Sequence, residues 1–122
     1  MDERRVHQRL AIDLDGRFRL VPAGKDQFTA TVVNVSYTGL QFCAPVDLAP
    51  GTLVEMEVDL DPSTEVTLQL AAVWSKPADG SPESEEDSVY CVGACINDGD
   101  DKENERFRHF FSLKLLYPPK DL

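Results

Sequence analysis

The residues best suited to ligand chemistry are three arginines, Arg4, Arg5 and Arg9, in the sequence RRVHQR. A guanidinium group donates paired hydrogen bonds to a phosphate or to guanine O6 and N7, and its flat face stacks on bases. Lysine cannot do all of these. Arg5 and Arg9 are four positions apart, so a flexible arm could place them on two sides of a ligand and become ordered only on binding. The arginines therefore indicate a site that can hold a compact anion.

A second group of polar residues lies in NVSYTG, where Asn34, Ser36 and Gly39 occupy a predicted turn between two strands. Asn34 can accept and donate hydrogen bonds through its side-chain amide, and Ser36 offers a small hydroxyl. Gly39 permits a positive φ and a close approach of the backbone. We expect a fixed polar edge that complements the charge of the arm.

Charge is distributed unevenly along the 122 residues, whose formal net charge is −10. Residues 1–25 contain six Lys and Arg against four Asp and Glu, whereas residues 26–122 contain six against eighteen. An acidic surface repels long nucleic acids, yet a local arginine cluster can still hold a small anion. The sequence therefore argues against a DNA- or RNA-binding role.

Other reactive side chains form no catalytic or metal-binding pattern. His7 and His109 have no companion ligands or acids at a suitable spacing. Cys91 and Cys95 would lie about 13 Å apart in an extended strand, too far for a disulfide or a shared zinc ion. We therefore interpret these two thiols and Cys43 as buried and structural, and predict no enzyme activity, metal or cofactor.

Alternating apolar residues predict a mainly β fold, a small six-stranded antiparallel barrel. A hairpin is expected where Asp61, Pro62 and Ser63 separate two alternating runs. The single tryptophan, Trp74, has the same parity as Val66 and Leu70. It should therefore point into the core unless a bulge intervenes. The six predicted strands are Gly16–Val21, Phe28–Val35, Leu40–Cys43, Val54–Leu60, Val66–Ala72 and Val89–Ile96.

After Ile96 the apolar period becomes helical. Either Asp100 or Asp101 could cap a helix that ends before Pro118 and Pro119. Its apolar stripe should pack on the barrel, although a helix outside the barrel could also serve dimerisation. The stripe consists of Phe107, Phe110, Phe111 and Leu115.

The chain is predicted to form one domain over residues 1–122, because its length allows a single modest core. We divide it into an arm at 1–12, a barrel at 13–97 and a C-terminal α-helix at 100–117. Residues 77–88 are rich in Pro, Ser and acids and should form a solvated hairpin loop. No apolar run suits a membrane span or secretory signal, so we expect a cytoplasmic protein without membrane insertion.

The two motifs resemble those of the PilZ domain family. Arg5 and Arg9 match its RxxxR element, and Asn34, Ser36 and Gly39 match its second element, in which Asp is frequent at the first position. The likeness continues through LAPGTLVEMEVDL, AAVWSKP and VGACI. The resemblance implies a cyclic di-GMP receptor that contacts the ligand through these residues and Arg4, and an adaptor that relays binding to a partner protein. In this family an additional arginine at the position of Arg4 is associated with two stacked ligands.

Two other functions are less well supported. A ligand-independent interaction module would use the acidic face or the C-terminal helix, and family members of this kind typically lack the arginines. A small enzyme would require a nucleophile with its base, a carboxylate pair in a cleft or a metal site. Titration with cyclic di-GMP separates the receptor from the interaction module.

Overall fold

The computed structural model describes residues 9–21, 24–78, 89–97 and 101–116. One helix, α1, covers Asp101–Leu116. It follows six strands, which are β1 (Arg9–Leu20), β2 (Phe28–Ser36), β3 (Gly39–Ala44), β4 (Leu53–Asp61), β5 (Thr64–Pro77) and β6 (Tyr90–Ile96).

The strands close into a barrel in the order β1, β2, β3, β6, β5, β4, and every neighbouring pair is antiparallel. Closure leaves no unpaired sheet edge, so the backbone groups along the strands can find partners within the sheet. The predicted fold class, a six-stranded antiparallel barrel with a C-terminal helix, is confirmed.

The core follows the alternation of the sequence, because successive side chains of a strand point to opposite faces. On β4, Val54, Met56 and Val58 are almost fully buried, while the acids between them lie on the outer surface. Burial of each such side chain stabilises the fold by about 1.5–3 kcal/mol. The largest fully buried side chains of the strands are Phe18, Phe42, Met56, Leu68, Leu70, Val32, Val35, Val54, Val58, Val66 and Val92.

The predicted turn after β4 is confirmed, and its geometry explains why Asp precedes Pro and Ser. The Asp61 carboxylate accepts hydrogen bonds from the Ser63 amide at 2.9 Å and from its hydroxyl at 3.0 Å. These hydrogen bonds stabilise the turn between β4 and β5.

Helix α1 packs on the barrel through Phe107 and Phe111, which are buried, and through the half-buried Phe110. Glu103 also accepts a 2.8 Å hydrogen bond from the Thr67 amide of β5. The predicted packing of the aromatic stripe is confirmed for these residues, whereas the side chain of Leu115 lies outside the described part. At 16 residues, α1 falls short of the roughly 20 that a bilayer span requires, and it is the only helix in the described ranges.

Two predicted boundaries are wrong. Strand β1 begins at Arg9, so residues 9–12, assigned to the arm, belong to the barrel. The reason is that Leu10, Ile12 and Leu14 continue the inward alternation and pack against the core. Similarly, β5 continues to Pro77, the first residue of the predicted loop. The rest of the arm (1–8), most of that loop (79–88) and Asp100 lie outside the described residues.

Candidate ligand-binding site

A bulge in β2 turns the second motif towards the outside of the barrel. The β2–β3 register shifts between Val32 and Asn34, where β2 contains one additional residue. Val32 and Val35 are both buried, and Val33 between them is 36% exposed. Because the additional residue reverses the alternation, Asn34 and Ser36 lie on the outer face instead of entering the core.

The pairing of the strands then places the site residues side by side. Arg9 of β1 lies opposite Ser36, and Asn34 lies opposite Gln41 of β3. Gln41 in turn pairs with Gly93 of β6, and Gly93 pairs with Trp74 of β5. The site is therefore a belt across five neighbouring strands.

A second bulge brings Trp74 into this belt. The β5–β6 register shifts between Ala72 and Trp74, so Ala72 is buried, Val73 is 54% exposed and Trp74 returns to the outer face. The preferred prediction, that Trp74 packs in the core, is wrong for this reason. The indole is half-buried and lines the same pocket as Asn34.

Two glycines permit close contacts at the site. A β-carbon at Gly93 would overlap the Trp74 indole, and one at Gly39 would overlap the carbonyl oxygen of Ala94. Gly39 therefore lies in close contact with β6. It does not use the positive φ that glycine permits, since in the described ranges Gly51 is the only residue with one.

The turn between β2 and β3 is spanned by two long hydrogen bonds of Ser36 and is joined to the neighbouring strand. The Ser36 hydroxyl donates to the Gly39 carbonyl and accepts from the Thr38 amide, both at 3.4 Å. The Thr38 carbonyl accepts a 2.8 Å hydrogen bond from the Ile96 amide. The Ser36 hydroxyl therefore lies between the turn and the pocket, which Ser36 lines.

Helix α1 also contacts this turn. Arg108 Nε donates to the Tyr37 carbonyl at 3.1 Å, and the guanidinium lies 4.8 Å from the Tyr37 ring centroid. A hydrogen bond and a cation–π contact from one side chain thus join the helix to the second motif.

The resulting pocket is shallow, with a volume of about 180 Å³. Drug-sized ligands usually occupy 300–1,000 Å³, so this space suits one planar base of a larger ligand. Its lining contains one arginine and no acid among the described residues. The lining residues are Arg9, Asn34, Ser36, Thr38, Gly39, Leu40, Gln41, Val73, Trp74, Gly93, Ala94 and Cys95.

The other arginines of β1 are engaged by carboxylates. Arg17 contacts Glu57 at 3.2 Å, Asp59 at 3.1 Å and also Glu65, while Arg19 pairs with Glu55 at 2.8 Å. Hydrogen bonds from Arg17 hold the pKa of Asp59 below its usual value. Within the described ranges no acid pairs with Arg9, so its charge faces an acid-free pocket in an acidic protein.

Four of the six predicted site residues line this pocket, namely Arg9, Asn34, Ser36 and Gly39. Arg4 and Arg5 lie outside the described residues. Gln41 and Gly93 also line the pocket and were not predicted from the sequence. A glycine inside a strand such as VGACI is a known sign of close approach by another group, so Gly93 could have been found.

The remaining reactive residues also differ from expectation. Cys43 and Cys91 are half-buried and Cys95 is exposed, so the prediction of three buried structural thiols is wrong. His109 is exposed, and His7 lies outside the described residues. No group of three metal-ligating side chains occurs in the part of the chain that the structure describes.

Comparison with known proteins identifies the family of this barrel. The PilZ domain model matches residues 3–112, which includes all strands and most of the helix. The chain belongs to the PilZ domain family. No curated protein matches it.

Solved structures show the same PilZ barrel. The PilZ domain with c-di-GMP of YcgR from Escherichia coli has a TM-score of 0.68 and 14% identity, with 93% of each chain covered. The PilZ domain of CeSA from a cellulose-synthesizing bacterium has a TM-score of 0.60 and 15% identity, covering 88% of this chain and 98% of that one. MrkH, a c-di-GMP-dependent transcription regulatory factor, has a TM-score of 0.73 and 16% identity over 93% of this chain, which spans 52% of MrkH. At these identities the likeness shows the fold.

Proposed function

We propose that this protein is a non-enzymatic receptor for cyclic di-GMP, which binds at the belt of Arg9, Asn34, Ser36, Gly39 and Trp74 and relays the signal to a partner protein. The observation that carries the proposal is the acid-free pocket in which the described residues of both motifs meet. The family and the c-di-GMP named for the YcgR and MrkH structures support this ligand.

The chemistry of the belt suits a phosphate next to a guanine. Arg9 can form a charged, two-pronged contact with a phosphodiester, while the amide of Asn34 meets the base edge. The Trp74 indole offers a stacking surface worth about 1–3 kcal/mol per base. Lys76 Nζ lies 5.6 Å from the Trp74 ring centroid, so a second cation borders the place where the base would stack.

Arg4 and Arg5 complete the proposal through their position in the sequence. Arg5 is four residues before Arg9, where β1 begins, so the chain can span at most about 14 Å between their α-carbons. Both additional arginines are therefore within reach of a ligand at the pocket. We assign Arg5 to the remaining phosphate or base contacts and Arg4 to a second, stacked cyclic di-GMP.

Calorimetric titration with cyclic di-GMP tests the receptor, and the single tryptophan provides a second signal through its fluorescence. We expect binding at micromolar ligand with two ligands per chain, together with a change in Trp74 emission. Arg9→Ala should weaken binding about 10- to 150-fold, because a hydrogen bond to a charged group contributes about 1.5–3 kcal/mol. Added salt should also weaken it.

The matched control is Arg19→Ala, which removes an arginine from the same strand but outside the pocket. Its affinity should equal that of the wild type. An absence of heat and fluorescence change at micromolar ligand, or equal affinities for Arg9→Ala and wild type, would reject the receptor and leave the ligand-independent interaction module. One ligand per chain would reject only the role given to Arg4.

A further inference from the structure

Two cysteines that are distant in sequence are direct neighbours on adjacent strands of the barrel. Cys43 of β3 pairs with Cys91 of β6 in the antiparallel register. The residues on either side of Cys43, Phe42 and Ala44, are buried, as is Val92 beside Cys91. Because side chains alternate along a strand, both thiols point to the outer face and lie side by side.

This arrangement suits a covalent bond between the sulfur atoms. Directly opposed residues in antiparallel strands have α-carbons about 4.5–5.5 Å apart, within the roughly 4.4–6.8 Å range of disulfides. The strands are held in register by neighbouring pairs on both sides, Phe42 with Val92 and Ala44 with Tyr90. Bond formation therefore needs side-chain rotation and no rearrangement of the fold.

The two thiols lie close enough to interact. Burial raises the pKa of the Cys43 thiol, and interaction with the Cys91 thiol raises it further. A sulfenic acid formed on either sulfur atom would therefore have the other thiol beside it.

We propose that Cys43 and Cys91 form a redox-active dithiol, which a hydroperoxide converts into a cross-strand disulfide. The thiolate of one cysteine attacks one peroxide oxygen, the O–O bond breaks, and that cysteine becomes a sulfenic acid while hydroxide or an alkoxide leaves and takes up a proton. The sulfur of the other cysteine then attacks the sulfenic acid sulfur, the S–O bond breaks and water leaves. The two sulfur atoms lose two electrons in total, the peroxide gains them, and both thiol protons end in the products.

The position of the pair gives the modification a structural consequence. The next outward-facing pair along β3 and β6 is Gln41 with Gly93, and both line the pocket. On the other side of β6, Lys76 lies opposite Cys91. A disulfide would thus join β3 and β6 at a position two residues along each strand from the pocket-lining pair Gln41 and Gly93. The proposal is independent of the ligand assigned to the pocket.

The test treats the reduced 122-residue chain with a small excess of hydrogen peroxide and then alkylates the remaining thiols. Free thiols should fall from three to one, and the intact mass should show the loss of two hydrogen atoms in a monomer. A thiol reductant should restore all three. Oxidation should leave the circular dichroism spectrum unchanged, because the fold already holds the pair together.

Cleavage after glutamate locates the bond. Trypsin cannot separate the pair, because Lys76 is the only basic residue between them and precedes Pro77. Several glutamates, including Glu55 and Glu86, lie between Cys43 and Cys91. A disulfide-linked pair of peptides, one with Cys43 and one with Cys91, is the expected product.

Two variants distinguish the proposed bond from other thiol chemistry. In Cys95→Ser the bond should still form and leave no free thiol, whereas in Cys43→Ser no intrachain bond should form. The proposal is overturned if peroxide leaves three free thiols, if only disulfide-linked dimers appear, or if the bond is lost in Cys95→Ser.

Discussion

The indole of Trp74 lies against the backbone of Gly93, its cross-strand neighbour, so closely that a β-carbon on Gly93 would overlap the ring. Gly93 also pairs with Gln41 on its other side. The missing side chain therefore creates the space in which the tryptophan lies flat beside the second motif. The bulge between Ala72 and Trp74 orients the ring outward, and the glycine leaves room for it on the barrel surface.

Substitution Gly93→Ala should displace this ring. The added methyl group would displace the Trp74 indole from the barrel surface. The fluorescence emission of Trp74 should then shift to longer wavelength, because the ring becomes more exposed to solvent. Loss of a stacking surface should weaken cyclic di-GMP binding about 5- to 150-fold. Calorimetry and fluorescence measure the two effects. Thr29→Ala, an exposed change elsewhere on β2, should alter neither, and an unshifted Trp74 emission in Gly93→Ala would contradict the prediction.

The ion pairs of Arg17 should make stability depend on pH in a defined direction. Hydrogen bonds from Arg17 lower the pKa of Asp59 from its usual 3.8 in the folded protein. A lowered folded pKa contributes stability above the unfolded value, and this contribution is lost as pH falls through the folded value. These carboxylates are partly exposed, so we expect each pair to contribute less than about 1 kcal/mol.

Urea unfolding of wild type and Arg17→Ala at a series of pH values measures this dependence. The variant should have a lower free energy of unfolding at pH 7 and at pH 5, and the difference should shrink only below about pH 4. Lys25→Ala, which removes an exposed charge, provides the control. A difference that grows as pH falls would show that the carboxylates are not the partners that matter.

The strands and the helix could be predicted because their signals are local. Alternation around Val54 to Leu60 and the helical spacing of Phe107 and Phe111 depend only on near neighbours in the chain. Asp61, Pro62 and Ser63 likewise carry the information for their turn. Such patterns determine which residues face the core.

The candidate site could be predicted only in part, because it depends on register between strands. Counting by two from Val66 places Trp74 inside, and only the pairing of β5 with β6 shows the additional residue that turns it out. Likewise, Cys43 and Cys91 are 48 positions apart in sequence, and only the pairing of β3 with β6 makes them neighbours. Asn34 and Ser36 were found because their motif is short and continuous.

Asn34→Asp should strengthen binding of cyclic di-GMP. A carboxylate would accept hydrogen bonds from the guanine N1 and N2 groups as an anion, whereas the amide oxygen of Asn34 is a neutral acceptor. A charged hydrogen bond exceeds a neutral one by about 1–1.5 kcal/mol, so the dissociation constant should fall about 5- to 12-fold. The pocket has no acid among its described lining residues to oppose the new charge.

Titration of the same variant with cyclic di-AMP provides the control for this prediction. Adenine has no hydrogen on N1, so the new carboxylate gains no partner there and affinity should not rise. Equal gains for both dinucleotides, or no gain for cyclic di-GMP, would mean that residue 34 does not meet the guanine edge.

Arg108→Ala should loosen the second motif from helix α1. The substitution removes the 3.1 Å hydrogen bond to the Tyr37 carbonyl and the contact with its ring, which together contribute about 1–2 kcal/mol. Amide hydrogen exchange should therefore accelerate about 5- to 30-fold at the turn, with the Thr38 amide as the most direct reporter. Arg106→Ala removes a neighbouring arginine that pairs within the helix with Glu103 at 3.0 Å, and it should leave exchange at Thr38 unchanged. If both variants accelerate Thr38 equally, the effect belongs to general weakening of α1, and the specific link from Arg108 to the β2–β3 turn is refuted.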